Sequence, residues 1–227
     1  MIAKLETIIH LNHGLIDLNR NIIMLGKWKK AFEYWIKKQS FLLHNCGLHV
    51  GNTFVVKGTQ YIKCGKNVYI GENSKLLCWD SHRGKKFDKA PEIILGNNLH
   101  ITRNFVIQCA NRVEIGNNVL IASDVFIIDY NHGTNPLLES YLYNPLDISE
   151  GIVIRDGAWI GNNVIILGGV EIGKKAIIGA GAVVTHSIPD YSIAVGNPAR
   201  VVKKWDFNIN EWIPSNSLHG KPCSYNI

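Results

Sequence analysis

IRDGAWIGNNVIILGGVEIGKKAIIGAGAVV, residues 154–184, decides the fold. An aliphatic residue falls at every sixth position through it: Ile154, Ile160, Ile166, Ile172, Ile178 and Val184. Four residues after most of these comes a small or branched apolar one, as at Ala158, Val164, Val170, Ala176 and Ala182. A period of six fits neither the 3.6 of a helix nor the plain alternation of a lone strand. It fits a solenoid whose short strands turn a corner every six residues. One side chain per face then points inward, and Gly or Asn supplies the turn. The expected class is all-β, a parallel β-helix.

Working back from this stretch, Val50, Val56 and Ile62 keep the same step. The phase then slips by two, so that Cys64, Ile70 and Leu76 carry it on; Leu95, Ile101 and Ile107 resume it, and a second slip leads to Cys109, Ile115, Ile121 and Ile127. Residues 78–91 and 133–151 break the pattern and read as excursion loops. At about 18 residues per three-sided turn, residues 48–204 make about six coils. The period ends at Pro189, and residues 205–227 form a tail without repeat, expected to pack back on the coils.

Residues 1–47 differ. Leu25, Trp28, Phe32, Trp35, Ile36 and Leu42 lie near helical spacing, among Lys27, Lys29, Lys30, Lys37 and Lys38. An amphipathic helix is expected. One reading makes it a cap over the open end of the solenoid, which would otherwise expose strand edges and an apolar interior. The other makes it a membrane-surface helix that brings the protein to a lipid-linked substrate.

With 227 residues, 46% of them hydrophobic, the chain is long enough for a substantial core. No apolar run reaches the ~18 residues of a membrane span, and the N-terminus lacks a secretory pattern. Five cysteines form no CxxC pair, and Cys64 and Cys109 fall at inward repeat positions. The expectation is a cytoplasmic, disulfide-free protein, with the inner face of the membrane as the alternative address. The net charge of +6 is concentrated near the N-terminal helix and otherwise scattered, with no nucleic-acid-binding signature. An anionic cofactor or an anionic membrane is the expected partner, and nucleic acid is not.

WIGNNVIILGGVEIGKKAIIGAGAVVTHSIPDYSIAVGNPARVVKK, residues 159–204, resembles the C-terminal coils of the hexapeptide-repeat acyltransferases. These include galactoside, maltose and streptogramin acetyltransferases and the O-acetyltransferases of bacterial surface polysaccharides. The likeness extends through IGNNVLIASDVFIIDYNHG, residues 115–133. The resemblance implies a left-handed β-helix, a homotrimer, and acetyl-coenzyme A as cosubstrate in a groove between subunits, with no metal. Repeats alone are scaffold; the specific signal is DYNHG.

By the resemblance, His132 is the general base. A sugar hydroxyl is a poor nucleophile until a neutral imidazole takes its proton during attack on a thioester. Asp129, three residues earlier, either orients that ring, as a carboxylate does in serine hydrolases, or caps a turn. Asn131 adjoins the base, where it helps shape the loop and is a candidate substrate contact. The backbone amide of Asn162 matches the group that stabilises the tetrahedral oxyanion. The matching cofactor positions are Trp159, Gly161, Asn162, Gly179, Ala180, Thr185 and Arg200, with His186 standing where the family commonly has lysine. Gly and Ala would let a pantetheine arm approach the backbone, and Arg200 suits a phosphate.

The acceptor side departs from the galactoside pattern. Thr102 and Ala110 stand where those enzymes place an asparagine and an aspartate, with Asn104 and Gln108 as nearby alternatives. Tyr141 and Tyr143 in the second excursion suit a sugar ring, and His82 in the first is a further candidate for the acceptor site. The expected function is O-acetylation of a sugar, monomeric, lipid-linked or polymeric, belonging to a bacterial surface polysaccharide. Alternatives are N-acetylation of a nucleotide-linked amino sugar and, from another class, a β-helix metalloenzyme of carbonic anhydrase type. That last would need histidines beyond His132 at the site, and none stands near it in sequence. An ice-binding solenoid would show threonine rows, whereas the outward positions read as mixed charges, Asn and Gly.

Overall fold

The computed structural model describes residues 29–45 and 47–215. The chain divides into two compact units, one ending at His44 and one beginning at Asn45. In the first, residues 29–44 are helical. Phe32, Trp35 and Ile36 share one face at helical spacing and stay exposed, and the Phe32 and Trp35 rings stack with centroids 6.1 Å apart. Leu25 and Trp28 of the expected stripe lie outside the described residues. Among the described residues no helix is long and apolar enough to cross a membrane.

The second unit is a three-sided parallel β-helix. Coil 1 runs through Leu48–Val50, Val55–Lys57 and Ile62–Cys64; coil 5 runs through Trp159–Ile160, Ile165–Leu167 and Val170–Ile172. Each face is one sheet, built by stacking the first, second or third strand of successive coils. Six coils result, the last closing its third face through a single bridge from Ile172 to Ile188. Ser192–Val195 then continues the first face, where Arg200–Asp206 and Glu211–Pro214 pair antiparallel and finish the sheet. The expected tail boundary at 204 therefore falls inside a strand. Trp205 and Trp212, directly opposite, meet edge to face at 5.3 Å. Residues 216–227 of the expected tail lie outside the described residues.

The inward column is almost entirely aliphatic. Ile70, Ile101, Ile121, Ile160 and Ile178 stack on the first face, and Leu76, Ile107, Ile127, Ile166 and Val184 on the second, all fully buried. Each such side chain contributes roughly 1.5–3 kcal/mol of transfer free energy. The corners are turned by residues with positive φ, mainly Asn, as at Asn67, Asn98 and Asn118 along one edge and Asn73, Asn104 and Asn163 along another. Asn tolerates the left-handed region better than most residues. Its amides also bond from coil to coil: Asn67 Nδ2 donates to Asn98 Oδ1 at 3.1 Å and Asn98 Nδ2 to Asn118 Oδ1 at 3.2 Å.

The two phase slips have one structural cause. Leu48 lies beside Val68 and Val106 beside Phe126, a step of 20 residues, whereas Ile165 lies beside Val183, a step of 18. The extra pair always enters at the corner between the second and third faces, between Val56 and Ile62 in coil 1 and between Ile107 and Val113 in coil 3. Both excursions leave from that same corner: Cys78 to Glu92 in coil 2 and Ile128 to Ile152 in coil 4. Stacking of the coils thus brings the two excursions to one edge of the solenoid.

The outward positions are mixed, as expected, but biased by face: Lys57, Lys75 and Gln108 share the second face with apolar neighbours. The third face carries ion pairs: Lys63 and Arg112 on Glu92, Arg112 on Glu114, and Arg155 on Glu171 with Nε 2.8 Å from Oε1. Two of these carboxyls are held low, Glu92 first by its hydrogen bond from Lys63 and Glu171 by that from Arg155. The second face instead points Val55, Leu77, Val106, Phe126, Ile128, Ile165, Leu167 and Val183 outward, none of them buried.

Candidate active site

The coil-4 excursion begins at Asp129, whose carboxylate is fully buried. Oδ1 accepts the backbone N–H of Ala110 at 2.7 Å, and Oδ2 those of Asn111 at 2.9 Å and Arg112 at 2.8 Å. The Asp129 carbonyl accepts from Ser149 N–H at 2.9 Å and Ser149 Oγ at 2.6 Å, closing the neck of the excursion. The turn this carboxylate caps is not the expected one in the excursion but the corner of the coil below. Both oxygens serve the corner of coil 3, and no hydrogen bond joins Asp129 to His132 among the described residues.

Beyond the neck, Tyr130–His132 pairs antiparallel with Leu146–Ile148, His132 opposite Leu146. The excursion is therefore a hairpin arm with a regular base, starting earlier than the loop expected from 133. Tyr130 fixes its root by donating to Gln108 Oε1 at 2.6 Å; burial, then the Asp129 charge, raises its phenol above the ordinary value. Asn131 Oδ1 accepts the backbone N–H of His132 at 2.9 Å. At the tip, Tyr141–Tyr143 forms a single 3-10 turn, and Ser140 caps it by accepting from Leu142 N–H. Tyr141 and Tyr143 are both exposed there. The His132 side chain is exposed on its arm.

The coil-2 excursion reaches the same place. Asp80 at its neck accepts from Tyr61 Oη and Ser81 Oγ, each at 3.1 Å, and these two bonds are the main cause of its lowered pKa. Ser81–His82 and Lys85–Lys86 then form a hairpin whose two turn residues, Arg83 and Gly84, both have positive φ. Turns of that hand match the twist of paired strands, and Gly84 meets the requirement without strain. The turn delivers His82 against His132, ring centroids 5.6 Å apart and planes 75° apart. Arg83 Nη1 donates to the Leu142 carbonyl at 3.0 Å, and its guanidinium lies 4.7 Å from the centre of the Tyr143 ring. Fifty residues separate the two histidines, and no local pattern announces their contact; what could be read was a histidine inside a charged break. Among the described residues no third His, Cys, Asp or Glu joins them in a metal-binding group.

The remaining sequence-predicted residues fall at other edges. Asn104, Gly161, Asn162, Gly179 and Ala180 line the corner between the first and second faces, with Trp159 exposed just before it. Asn104 donates to Asp124 Oδ1 at 2.7 Å, and Gln108 is taken by Tyr130, so both proposed acceptor contacts already serve the fold. Gly161 is explained by stacking: a Cβ there would lie 2.7 Å from the Ile178 carbonyl oxygen. At Gly181 a Cβ would meet nothing within 4 Å, so that corner is open. The Asn162 amide has no partner among the described residues, while its neighbours' amides bond to Ile178 and Ser123. Thr185 and His186 sit across the second face from this corner, hydrogen-bonded to each other at 2.8 Å. Arg200 is exposed, one guanidinium nitrogen on the Ala199 carbonyl at 2.9 Å. One chain thus places the proposed base and the proposed oxyanion amide on opposite edges of its second face.

Residues 151–186 match the family described as bacterial transferase hexapeptide (six repeats). The putative lipopolysaccharide biosynthesis O-acetyl transferase WbbJ of Escherichia coli is 31% identical over 171 residues, 71% of this chain and 84% of that one. The galactoside O-acetyltransferase of Escherichia coli is 39% identical over 115 residues, 48% of this chain and 55% of that one. Several further relatives are likewise matched over only about half their length, between 50% and 58%. In fold, the chain is similar to a mutant of AntD, an N-acyltransferase from Bacillus cereus in complex with dTDP and coenzyme A. The TM-score is 0.56 at 21% identity, covering 77% of this chain and 89% of that one. The six coils, with a hairpin arm bearing His132, are the left-handed parallel β-helix of the hexapeptide-repeat acyltransferases, and the chain belongs to that family.

Proposed function

We propose that the protein transfers the acetyl group of acetyl-coenzyme A to a hydroxyl of a sugar belonging to a bacterial surface polysaccharide or its precursor. The observation that carries this reading is the placement of His132 on an anchored hairpin arm, exposed at a solenoid edge, with two exposed tyrosines at the tip of the same arm. In the reaction, neutral His132 takes the hydroxyl proton as the oxygen attacks the thioester carbonyl. The Asn162 amide faces the oxyanion of the tetrahedral intermediate. Collapse breaks the carbon–sulfur bond, and the imidazolium returns its proton to the departing thiolate. No acyl-enzyme is needed.

The thioester arm fits the open corner at Ala180 and Gly181, with Trp159 beside it and Thr185, His186 and Arg200 toward its anionic end. Because the corner of Asn162, Ala180 and Gly181 and the arm of His132 occupy opposite edges of one chain's second face, a complete site calls for a neighbouring copy. That need and the apolar outward row of the second face both support a trimer. The setting is an enzyme of the cell interior, with the acceptor presented free or on a lipid.

The test is mass spectrometry of candidate glycans incubated with protein and acetyl-coenzyme A. The expected product gains one acetyl group that mild alkali removes; an alkali-stable acetyl would mean an amide, and N-acetylation instead. His132→Ala is expected to keep fold and cofactor binding while losing about 10²–10⁴-fold in turnover. Retention of more than about a tenth of wild-type turnover would remove His132 from the role of base.

A further inference from the structure

We propose that His82 is a positioning residue of the transfer site, holding the His132 ring in one orientation from the coil-2 excursion. The inference rests on the reading of His132 as base. A general base must be kept within about 0.5 Å and 10–20° of its working geometry, yet His132 is exposed and no described residue hydrogen-bonds its ring. The carboxylate nearest in sequence, Asp129, is fully used by backbone amides. What touches the ring is His82, at a separation and angle typical of edge-to-face aromatic pairs.

The support behind His82 is rigid. Its hairpin is anchored at the neck through Asp80 and at the tip through Arg83, which ties the coil-2 turn to Leu142 and Tyr143 of the arm that carries His132. The two excursions are therefore tied to each other through Arg83. His82 Nε2 is buried without a hydrogen-bond partner among the described residues. A histidine retained for the fold alone would normally find one. The contact with His132 is what gives the ring its purpose, and a ring without nitrogens can make the same contact.

Diethyl pyrocarbonate, with modified residues located by mass spectrometry, reads the His132 ring without any sugar acceptor. His82→Ala is expected to raise the His132 modification rate about two- to tenfold, the population ratio that one edge-to-face pair sets. His82→Phe should stay within about twofold of wild type and unfold no earlier, since it removes an unpaired buried nitrogen while keeping a ring. Thiol release from acetyl-coenzyme A, with water as acceptor, should fall in the Ala variant and recover in the Phe variant, the Michaelis constant for acetyl-coenzyme A unchanged in both. In a His132→Ala background, His82→Ala should add no further loss, because it acts through the missing ring. Equal His132 modification in wild type and His82→Ala overturns the inference, as does a Phe variant as reactive as the Ala one. Failure of the base reading is seen separately, as turnover that survives His132→Ala.

Discussion

Asp129 and Arg200 show how differently two charged residues of a family motif are used. Asp129 is buried with three backbone N–H groups on its carboxylate. Asp129→Ala would strand those donors, at about 1–3 kcal/mol for each that finds no water. The expected outcome is a drop of at least about 3 kcal/mol in urea unfolding, with turnover falling because the neck of the excursion loosens. Unchanged stability with lost turnover would instead restore the orienting role. Arg200 is exposed and, among the described residues, its guanidinium bonds only the carbonyl beside it, so its removal should leave stability untouched. Arg200→Ala is expected to weaken coenzyme A binding about tenfold, the low end for a charge-assisted hydrogen bond at a solvated groove mouth, and to lessen its salt dependence. Calorimetric titration at low and moderate salt checks this; equal affinity for both proteins would make Arg200 an ordinary surface residue.

Among the elements, the corner between the second and third faces carries both excursions, and the cysteines at that corner, Cys78 and Cys109, and at the far end of the third face, Cys64, report on packing. Burial pushes the Cys64 thiol up to about 12 from 9.0. Cys109 moves the same way through its hydrogen bond with Cys78, burial and the nearby Asp129 charge. A thiol whose folded pKa is raised adds stability below the unfolded value that is lost as pH climbs toward the folded one. Stability should therefore decline between about pH 9 and pH 12, with Cys64→Ala showing a shallower decline over that window. Urea midpoints at pH 8 and pH 10.5 measure it, and equal slopes for the two proteins would show that Cys64 ionises as freely folded as unfolded. Iodoacetamide should label Cys64 slowly in the native protein at pH 8 for the same reason.

For the whole molecule, assembly is the property most exposed to test. An outward apolar row on one face and ion pairs on another divide the solenoid into a side suited to burial and a side suited to water. Leu167→Asp on the second face should break a trimer into monomers at micromolar concentration, seen by light scattering, and abolish transfer while circular dichroism stays native. Glu171→Gln on the third face should leave both unchanged, since a pair exposed on both sides contributes at most about 1 kcal/mol. A wild-type monomer with full activity would show that one chain completes the site by itself.

The sequence alone determined the coil count and the inward column, because a six-residue step is a local property that each coil repeats. Ile154 through Val184 could be laid on three faces without any knowledge of contacts. It also marked the Asn-rich corners, since a left-handed turn is written in a few adjacent residues. Local reading could not sort the outward positions by face, because the slips at Cys64 and Cys109 look like phase errors until stacking reveals two extra residues at one corner. Nor could it separate the two roles of Asp129, which differ only in which donors surround the carboxylate. The contact of His82 with His132 belongs wholly to tertiary structure: parallel stacking sets loops from different coils side by side, however far apart they lie along the chain.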